Sequence, residues 1–375
     1  MGYVAVKGGT SAIQESLKRI YYERIKHNTV LDIDKIEGGM RGLIDQIMSE
    51  SSLYSETLAA IAIKQAEGNP EEAVFLLRAF RSTLPRKHYS RAVISENMRV
   101  ERRISASFKD IPGGQILGAS MDYSHRLLDF DLLEETEAGI KAWLNSFEQK
   151  EKADNPVEDT DLSRLPKVLN YLRREGLIAD CSIDTREPDD VTRMSLTFPA
   201  SRSQKLQILT RGQTGAVISM AYAVIRGYGS VHPTVGELRV GQQPIYIDNP
   251  LQQSEDEDEA YYIGDIKLTE VEMLTPVTVE KDRGKKELVF EFGYGLCYGQ
   301  NESKAIAMSI LDKSIEKGDG ILPTQNEEFV LYHIDSVESS GFISHLKLPH
   351  YVTFQSKLND VRKTKQVKAM GKEEV

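Results

Sequence analysis

Apolar residues Ile13, Leu17, Ile20, Tyr21 and Ile25 recur at the spacing that places them along one face of a helix. Ser11 with Gln14 suits a capping box at its start, and its end falls near His27 and Asn28. Ile36, Met40, Leu43, Ile44, Ile47 and Met48 predict a second amphipathic helix, and residues 58–64 a third. The run Asn69-Pro70-Glu71-Glu72 predicts the start of a fourth. Asn69 can accept from a first-turn amide, Pro70 suits the first helical position, and the two glutamates favour the positive end of the helix dipole. Residues 1–90 therefore read as a helical amino-terminal domain.

The period then changes. Residues 100–108 predict a strand that ends at Asp110-Ile-Pro-Gly-Gly114, where one proline and two glycines demand a turn. Residues 132–147 read as a helix, closing a strand, turn and helix unit over 91–147. The polar, acidic stretch 148–161 with Pro156 reads as a linker or mobile loop. Beyond it, helical patterns at 165–175 and 214–226 and strand-like stretches at 243–247 and 287–292 give a mixed α/β part over 162–356. The basic tail 357–375 reads as a solvated helix or a frayed end. The expected class is α+β.

Composition narrows the function more than the fold. The 375 residues carry a net charge of -10, which argues against a nucleic-acid partner because phosphate neutralisation needs a basic surface. No run approaches a membrane span of roughly 20 apolar residues, and the first residues lack the apolar core of a signal peptide, so no membrane partner is expected and cytoplasmic residence is. Cys181 and Cys297 lack C-x-x-C spacing and suit buried free thiols. The five acids Glu255 to Glu259 suit a solvated loop. No Walker loop or dinucleotide fingerprint is present. Gly293-Tyr-Gly295 and Gly227-Tyr-Gly229 suit turns flanking helices, with backbone approach to a phosphate as the functional alternative.

Three basic groups could carry chemistry. Arg99, Arg102, Arg103 and Lys109 precede Gly113, Gly114 and Gln115, with His125 and Arg126 after them; strand alternation puts Arg99 and Arg103 on one face and Arg102 on the other. Guanidinium forks beside free glycine amides suit an oxyanion, and surface salt bridges are the plain alternative. Arg202, Lys205 and Arg211 form a second group. Arg226, His232, Glu237 and Arg239 form a third, in which Pro233 biases His232 to extended backbone. Near the carboxyl end, Glu327, Glu328 and His333 precede His345 and His350. Pro349 forbids one helix through that histidine pair, so a bent segment must converge the two imidazoles if both bind zinc, and further ligands must come from elsewhere.

The runs Arg102-Arg-Ile-Ser-Ala, Lys109-Asp-Ile-Pro-Gly-Gly-Gln, His125-Arg-Leu-Leu-Asp-Phe130, Asn326-Glu-Glu-Phe-Val-Leu and Ser344-His-Leu-Lys-Leu-Pro-His-Tyr resemble the PhnI family of the carbon–phosphorus lyase machinery. The resemblance extends from Val4 to near Phe354 and departs at 148–161, 255–259 and the tail. It implies a role in alkylphosphonate catabolism: with companion subunits, displacement of the purine of ATP or GTP by methylphosphonate at ribose C1. The product would be α-D-ribose 1-methylphosphonate 5-triphosphate. Alone, such a subunit would act as a purine nucleoside triphosphate nucleosidase; the alternative is a non-catalytic scaffold. The implied partners are PhnG, PhnH and PhnJ with the ATP-binding proteins PhnK and PhnL, and the nucleotide would arrive with magnesium.

The chemistry of that exchange wants a carboxylate near an oxocarbenium-like carbon, a proton donor for the purine and cations for the triphosphate. Glu327, Glu328, Asp122 and Asp129 are candidate carboxylates, and His125, His232 and His333 candidate donors. Arg102, Arg103, Arg126, Arg202 and Arg226 are candidate phosphate ligands, with Gly113, Gly114 and Gln115 beside them. The resemblance assigns zinc to His345 and His350, close to the contact with PhnJ.

Overall fold

The computed structural model describes residues 8–154, 165–179, 186–228, 232–251, 260–281, 285–316, 318, 321–348 and 350–370. Cys181, Gly229, Pro349, the acidic run 255–259 and residues 155–161 lie outside them.

Five helices open the chain: α1 (Gly9–Ile25), α2 (Ile33–Gly39), α3 (Arg41–Ser51), α4 (Glu56–Gln65) and α5 (Pro70–Ser82). The cap expected before α5 forms, with Asn69 accepting from the Glu72 amide at 2.9 Å and Pro70 in the first turn. The capping box expected at Ser11 does not form. The helix starts earlier, behind a left-handed Gly8, and has no side-chain cap. The single helix expected over 36–48 is two, because the chain leaves helical geometry at Met40, directly after Gly38 and Gly39. Helices α2 to α5 share a core of Ile36, Ile44, Ile47, Ile63, Val74 and Leu77. By contrast, the apolar stripe of α1 is left uncovered by the described residues, with Leu17 60% exposed.

β1 (Arg99–Ile104) follows, then α6 (Glu137–Asp154), α7 (Val168–Arg174), α8 (Arg202–Arg211) and α9 (Thr214–Ala223), which runs on into a wider π turn through Tyr228. The helix α6 carries the chain through 148–154, so the expected linker cannot begin at 148. Next come β2 (Thr234–Ile247), β3 (Tyr261–Lys281) and β4 (Lys285–Tyr298), and then α10 (Glu302–Glu316), α11 (Glu327–His333), α12 (Ser336–His345) and α13 (Tyr351–Met370). The tail is thus helical to Met370. Among the described residues no helix is long and apolar enough to cross a membrane.

The four strands form one antiparallel sheet in the order β1-β2-β3-β4, and with the helices they make the α+β class expected. One face is apolar: Leu238, Val240 and Val271 pack with Val217 of α9 and with Met308 and Leu311 of α10. Gly293 and Gly295 lie inside β4 on this face, not in a turn as expected. A β-carbon on Gly295 would stand 2.0 Å from the carbonyl oxygen of Ala305, and one on Gly293 2.0 Å from that of Ser309. These glycines let α10 lie directly on the strand backbone.

The other face is charged yet buried. Arg103 is ion-paired to Glu237 at 2.5 Å, Arg239 to Glu270, and Lys167 to Glu270 at 2.9 Å. Arg173 of α7 reaches Glu272 at 3.1 Å, and the Tyr294 hydroxyl donates to Glu270 at 2.9 Å. The start of α7 closes over this row, its Val168 amide donating to Glu237. Inside the protein such charges are tolerated only as a paired, hydrogen-bonded set.

Candidate functional site

The basic segment around β1 is engaged from within. A bulge after Val100 shifts the register, so Arg99 pairs across from Gln242, Arg102 from Val240 and Arg103 from Arg239. Arg99 and Arg102 therefore share a face and Arg103 takes the other, which corrects the simple alternation expected from sequence. Both Arg102 and Arg103 are buried. Besides Glu237, Arg103 donates to the carbonyls of Pro112 and Pro166, tying the glycine turn to the sheet. Arg102 donates to Leu117 and Asp122 and lies 2.9 Å from Glu302. The Gln115 amide pairs with the Ser105 backbone, and Gly113 and Gly114 both take positive φ. Arg126 donates to the Met121 carbonyl, while His125 and Asp129 are exposed in the same long segment.

The other candidates are spread over the surface. Arg202 makes a two-pronged ion pair with Asp312 beside Glu316. Arg226 is exposed at the π turn, and His232 is exposed with Nδ1 against the Pro233 carbonyl. On α11, Glu327 accepts from the Ala200 amide and pairs with Lys205 at 3.0 Å, whereas Glu328 is exposed. His333 stacks on Phe329 at 4.3 Å between ring centres.

The bend expected near Pro349 does converge two rings. His345 ends α12, and His350 follows a turn just before α13; their ring centres lie 5.5 Å apart. The Nδ1 of His345 faces the Phe342 carbonyl, which can only accept, so Nδ1 carries the proton and Nε2 keeps the lone pair a metal needs. Among the described residues no group of three or more His, Cys, Asp or Glu side chains could hold a metal, and two imidazoles are by themselves only half of the four ligands a tetrahedral site needs.

A cavity of about 860 Å³ lies against the outer edge of β4. Its walls come from Tyr294, Leu296 and Tyr298 of β4, from Leu206, Gln207 and Thr210 of α8, from Arg86, Tyr89 and Ser90 after α5, and from a loop that includes Glu187, Asp189, Asp190 and Arg193. Arg86 lies 3.2 Å from Asp190, donates to the Thr192 hydroxyl, and stands over the Tyr89 ring. Burial pushes the Asp190 carboxyl up, but two hydrogen bonds from Thr192 and the charge of Arg86 outweigh it and hold the group below the usual range. Of the cavity residues, sequence singles out Tyr294, within Gly293-Tyr-Gly295, and Cys297, neither of them as part of a pocket. Pro188-Asp189-Asp190 signals a turn, but nothing in its spacing says which cavity the turn faces. The Ser201 and Gln204 pair, a capping box in the structure, could have revealed α8.

The sequence profile described as PhnI, a bacterial phosphonate metabolism protein, matches residues 2–368. The chain is 40% identical over 376 residues to the α-D-ribose 1-methylphosphonate 5-triphosphate synthase subunit PhnI of Escherichia coli (strain K12), covering 98% of this chain and 100% of that one. It is 39% identical over 376 residues to the subunit of the same name from Rhizobium meliloti (strain 1021), covering 97% and 95%. The chain belongs to the PhnI family of bacterial phosphonate metabolism proteins.

Proposed function

We propose that this chain is the ribosyl-transferring subunit of a carbon–phosphorus lyase system, acting with companion subunits PhnG, PhnH and PhnJ and the ATP-binding proteins PhnK and PhnL. The observation that carries this reading is the nearly end-to-end match to two proteins named as synthase subunits. An oxygen of methylphosphonate bonds to ribose C1 of ATP or GTP while the C1–N9 bond opens, its electron pair leaving on the purine. The phosphonate monoanion gives up its proton and the purine takes one, so charge and atoms balance. The centre passes through oxocarbenium character, which an ionised carboxylate stabilises, while cations hold the triphosphate and its magnesium. ATP as substrate and the buried free thiol of Cys297 support cytosolic residence.

The test is adenine release. The purified chain with its companions, ATP and methylphosphonate should release adenine in step with ribosyl phosphonate, and GTP with the chain alone should yield guanine if water can take the acceptor's place. A complex that releases no adenine where that of a named relative does would end the transferase reading.

Zinc belongs to this proposal as well, held by His345 and His350 with the remaining ligands from outside the chain. Bound there, it would supply Lewis-acid polarisation of an oxygen ligand. Metal analysis of the purified complex should find about one zinc per chain, falling to near zero in His345→Ala and in His350→Ala, since one ring alone is a weak site. Zinc retained in full by both variants would place the metal elsewhere.

A further inference from the structure

Helices α12 and α13, which carry the histidine pair, project from the body of the protein. From Glu338 to the end of α12 every side chain except His345 is exposed, and so is every side chain of α13 up to Gln366 except Leu358. A helix ordinarily takes its direction from an apolar face buried along its length. These two bury almost nothing, so their direction is set where the arm leaves the body.

That place is the start of α12. Ile334 belongs to the core beneath the sheet and Val337 packs against the core of α2 to α5, so the helix begins at the seam between them. Asp335 serves two partners there. Its Oδ1 accepts from the amides of Val337 and Glu338 at 2.9 and 3.1 Å, capping the helix. The Nη1 of Arg78, on α5, donates to both carboxylate oxygens at 2.8 and 2.7 Å. The other guanidinium nitrogens of Arg78 are fixed too: Nε and Nη2 donate to the Glu50 carbonyl at 3.0 and 2.8 Å, and Nη2 to the Arg211 carbonyl at 3.1 Å. Those carbonyls end α3 and α8, the negative ends of two helix dipoles, while Asp335 sits at the positive end of a third.

The pair is largely shielded, with side chains 10% and 14% exposed, so solvent screens it little. Burial would raise the Asp335 carboxyl, but the charge and hydrogen bonds of Arg78 outweigh it and hold the group below the usual range. The leverage is large. α12 has ten residues and ends at His345. At 1.5 Å per residue it is about 15 Å long, so a tilt of about 10° at its base carries the far end roughly 2–3 Å. Metal sites hold their ligand distances within roughly 0.2 Å. His345 and His350 would travel together in such a tilt; what changes is where the pair stands relative to ligands from outside the chain.

We infer that Arg78 and Asp335 are positioning residues for the histidine pair: their clasp fixes the direction of the α12–α13 arm and so delivers His345 and His350 to the ligands that complete the metal site. The inference rests on the zinc reading above, and neither residue touches the metal.

Two variants test it. Arg78→Met removes the clasp, and Asp335→Ser removes it while a hydroxyl can still cap α12. Zinc affinity is measured by competition with a chelating dye, on the isolated chain and on the chain assembled with its companion subunits. In the assembly both variants should bind zinc about tenfold more weakly or worse, and on the isolated chain, where the two rings act alone, within about twofold of wild type. Wild-type affinity in the variant assemblies overturns the inference. So does an equal loss in both settings, which marks a disturbed pair rather than a misplaced one. A metal-free readout uses spin labels at Gln65→Cys on the body and Lys347→Cys on the arm, in a Cys181→Ser background, the Cys297 thiol being buried. Either variant of the clasp should shift or broaden the label distance by about 2 Å or more. An unchanged distance overturns the inference whatever the metal does. A shifted distance in a protein whose wild-type assembly holds no zinc supports the clasp as the anchor of the arm and defeats the zinc reading instead.

Discussion

In a Glu270→Gln variant the free energy of unfolding at pH 7 should fall on the order of 3–5 kcal/mol, because Arg239 and Lys167 would be left buried without their shared counter-charge. The same change should alter the acid limb of stability. Burial alone would raise the Glu270 carboxyl; Arg239 and Lys167 overcome it and hold the group at about 2, against an ordinary 4.5. A folded-state value below the unfolded one means a stabilisation fully present above pH 4.5 that is lost as pH falls toward 2. Glu272 is displaced the other way, its burial outweighing Lys167, so the wild-type acid limb combines both and only the Glu270 part disappears in the variant. Urea unfolding at pH 7, repeated down the acid range, reads both effects. A loss below about 1 kcal/mol would mean that the row across the sheet relaxes into an equally good pairing.

Replacing Gly295 by alanine should be comparably severe. The new β-carbon would meet the Ala305 carbonyl at 2.0 Å, and that carbonyl belongs to helix backbone, which cannot rotate aside as a side chain can. Either α10 lifts from β4 or the strand bends, and both loosen the contacts of Met308 and Leu311 with the sheet. Overpacking of this kind costs typically 1–3 kcal/mol, and the upper end or beyond is expected where backbone must move. Gly215→Ala, where the new β-carbon would meet nothing nearer than the Gln213 side-chain oxygen at 4.0 Å, serves as a control that should change stability little. Equal unfolding midpoints for the two variants would show that α10 has slack.

Local signals were legible where local physics decides. Asn69-Pro70-Glu71-Glu72 specifies its cap because the groups that satisfy one another lie within four residues, and the turn after β1 follows from Pro112, Gly113 and Gly114. What escaped was long-range. β3 is the longest strand, yet Glu270 and Glu272 alternate with Val271 and Met273 in the manner of a solvated face, and only distant Arg239, Lys167 and Arg173 show that the carboxylates are buried. Pro276 also argues against a central strand. It is tolerated because β2 ends its pairing at Leu274, leaving that stretch bonded to β4 alone. The bulge that redirects Arg99 and Arg103 is likewise a property of the pairing with β2, not of the segment. The candidate site was legible in one part, the convergence of His345 with His350, since a bend is a local demand. The cavity was not, because its walls come from the segment after α5, from α8, from β4 and from a loop that meet only in the tertiary structure.

The sheet order also sets a timetable. β2, β3 and β4 follow one another in a meander, but β1 pairs with a strand far downstream, Arg103 and Glu237 being 134 residues apart. On a ribosome adding roughly 5–20 residues per second, β1 emerges on the order of ten seconds before its partner exists. Through that interval the strand lacks its ladder with β2, Arg103 lacks Glu237 and Arg102 has Asp122 but not Glu302, while α2 to α5 can already close their own core. Nascent-chain folding should therefore proceed in two stages, with the amino-terminal helices settling early and β1 held in waiting until the meander arrives.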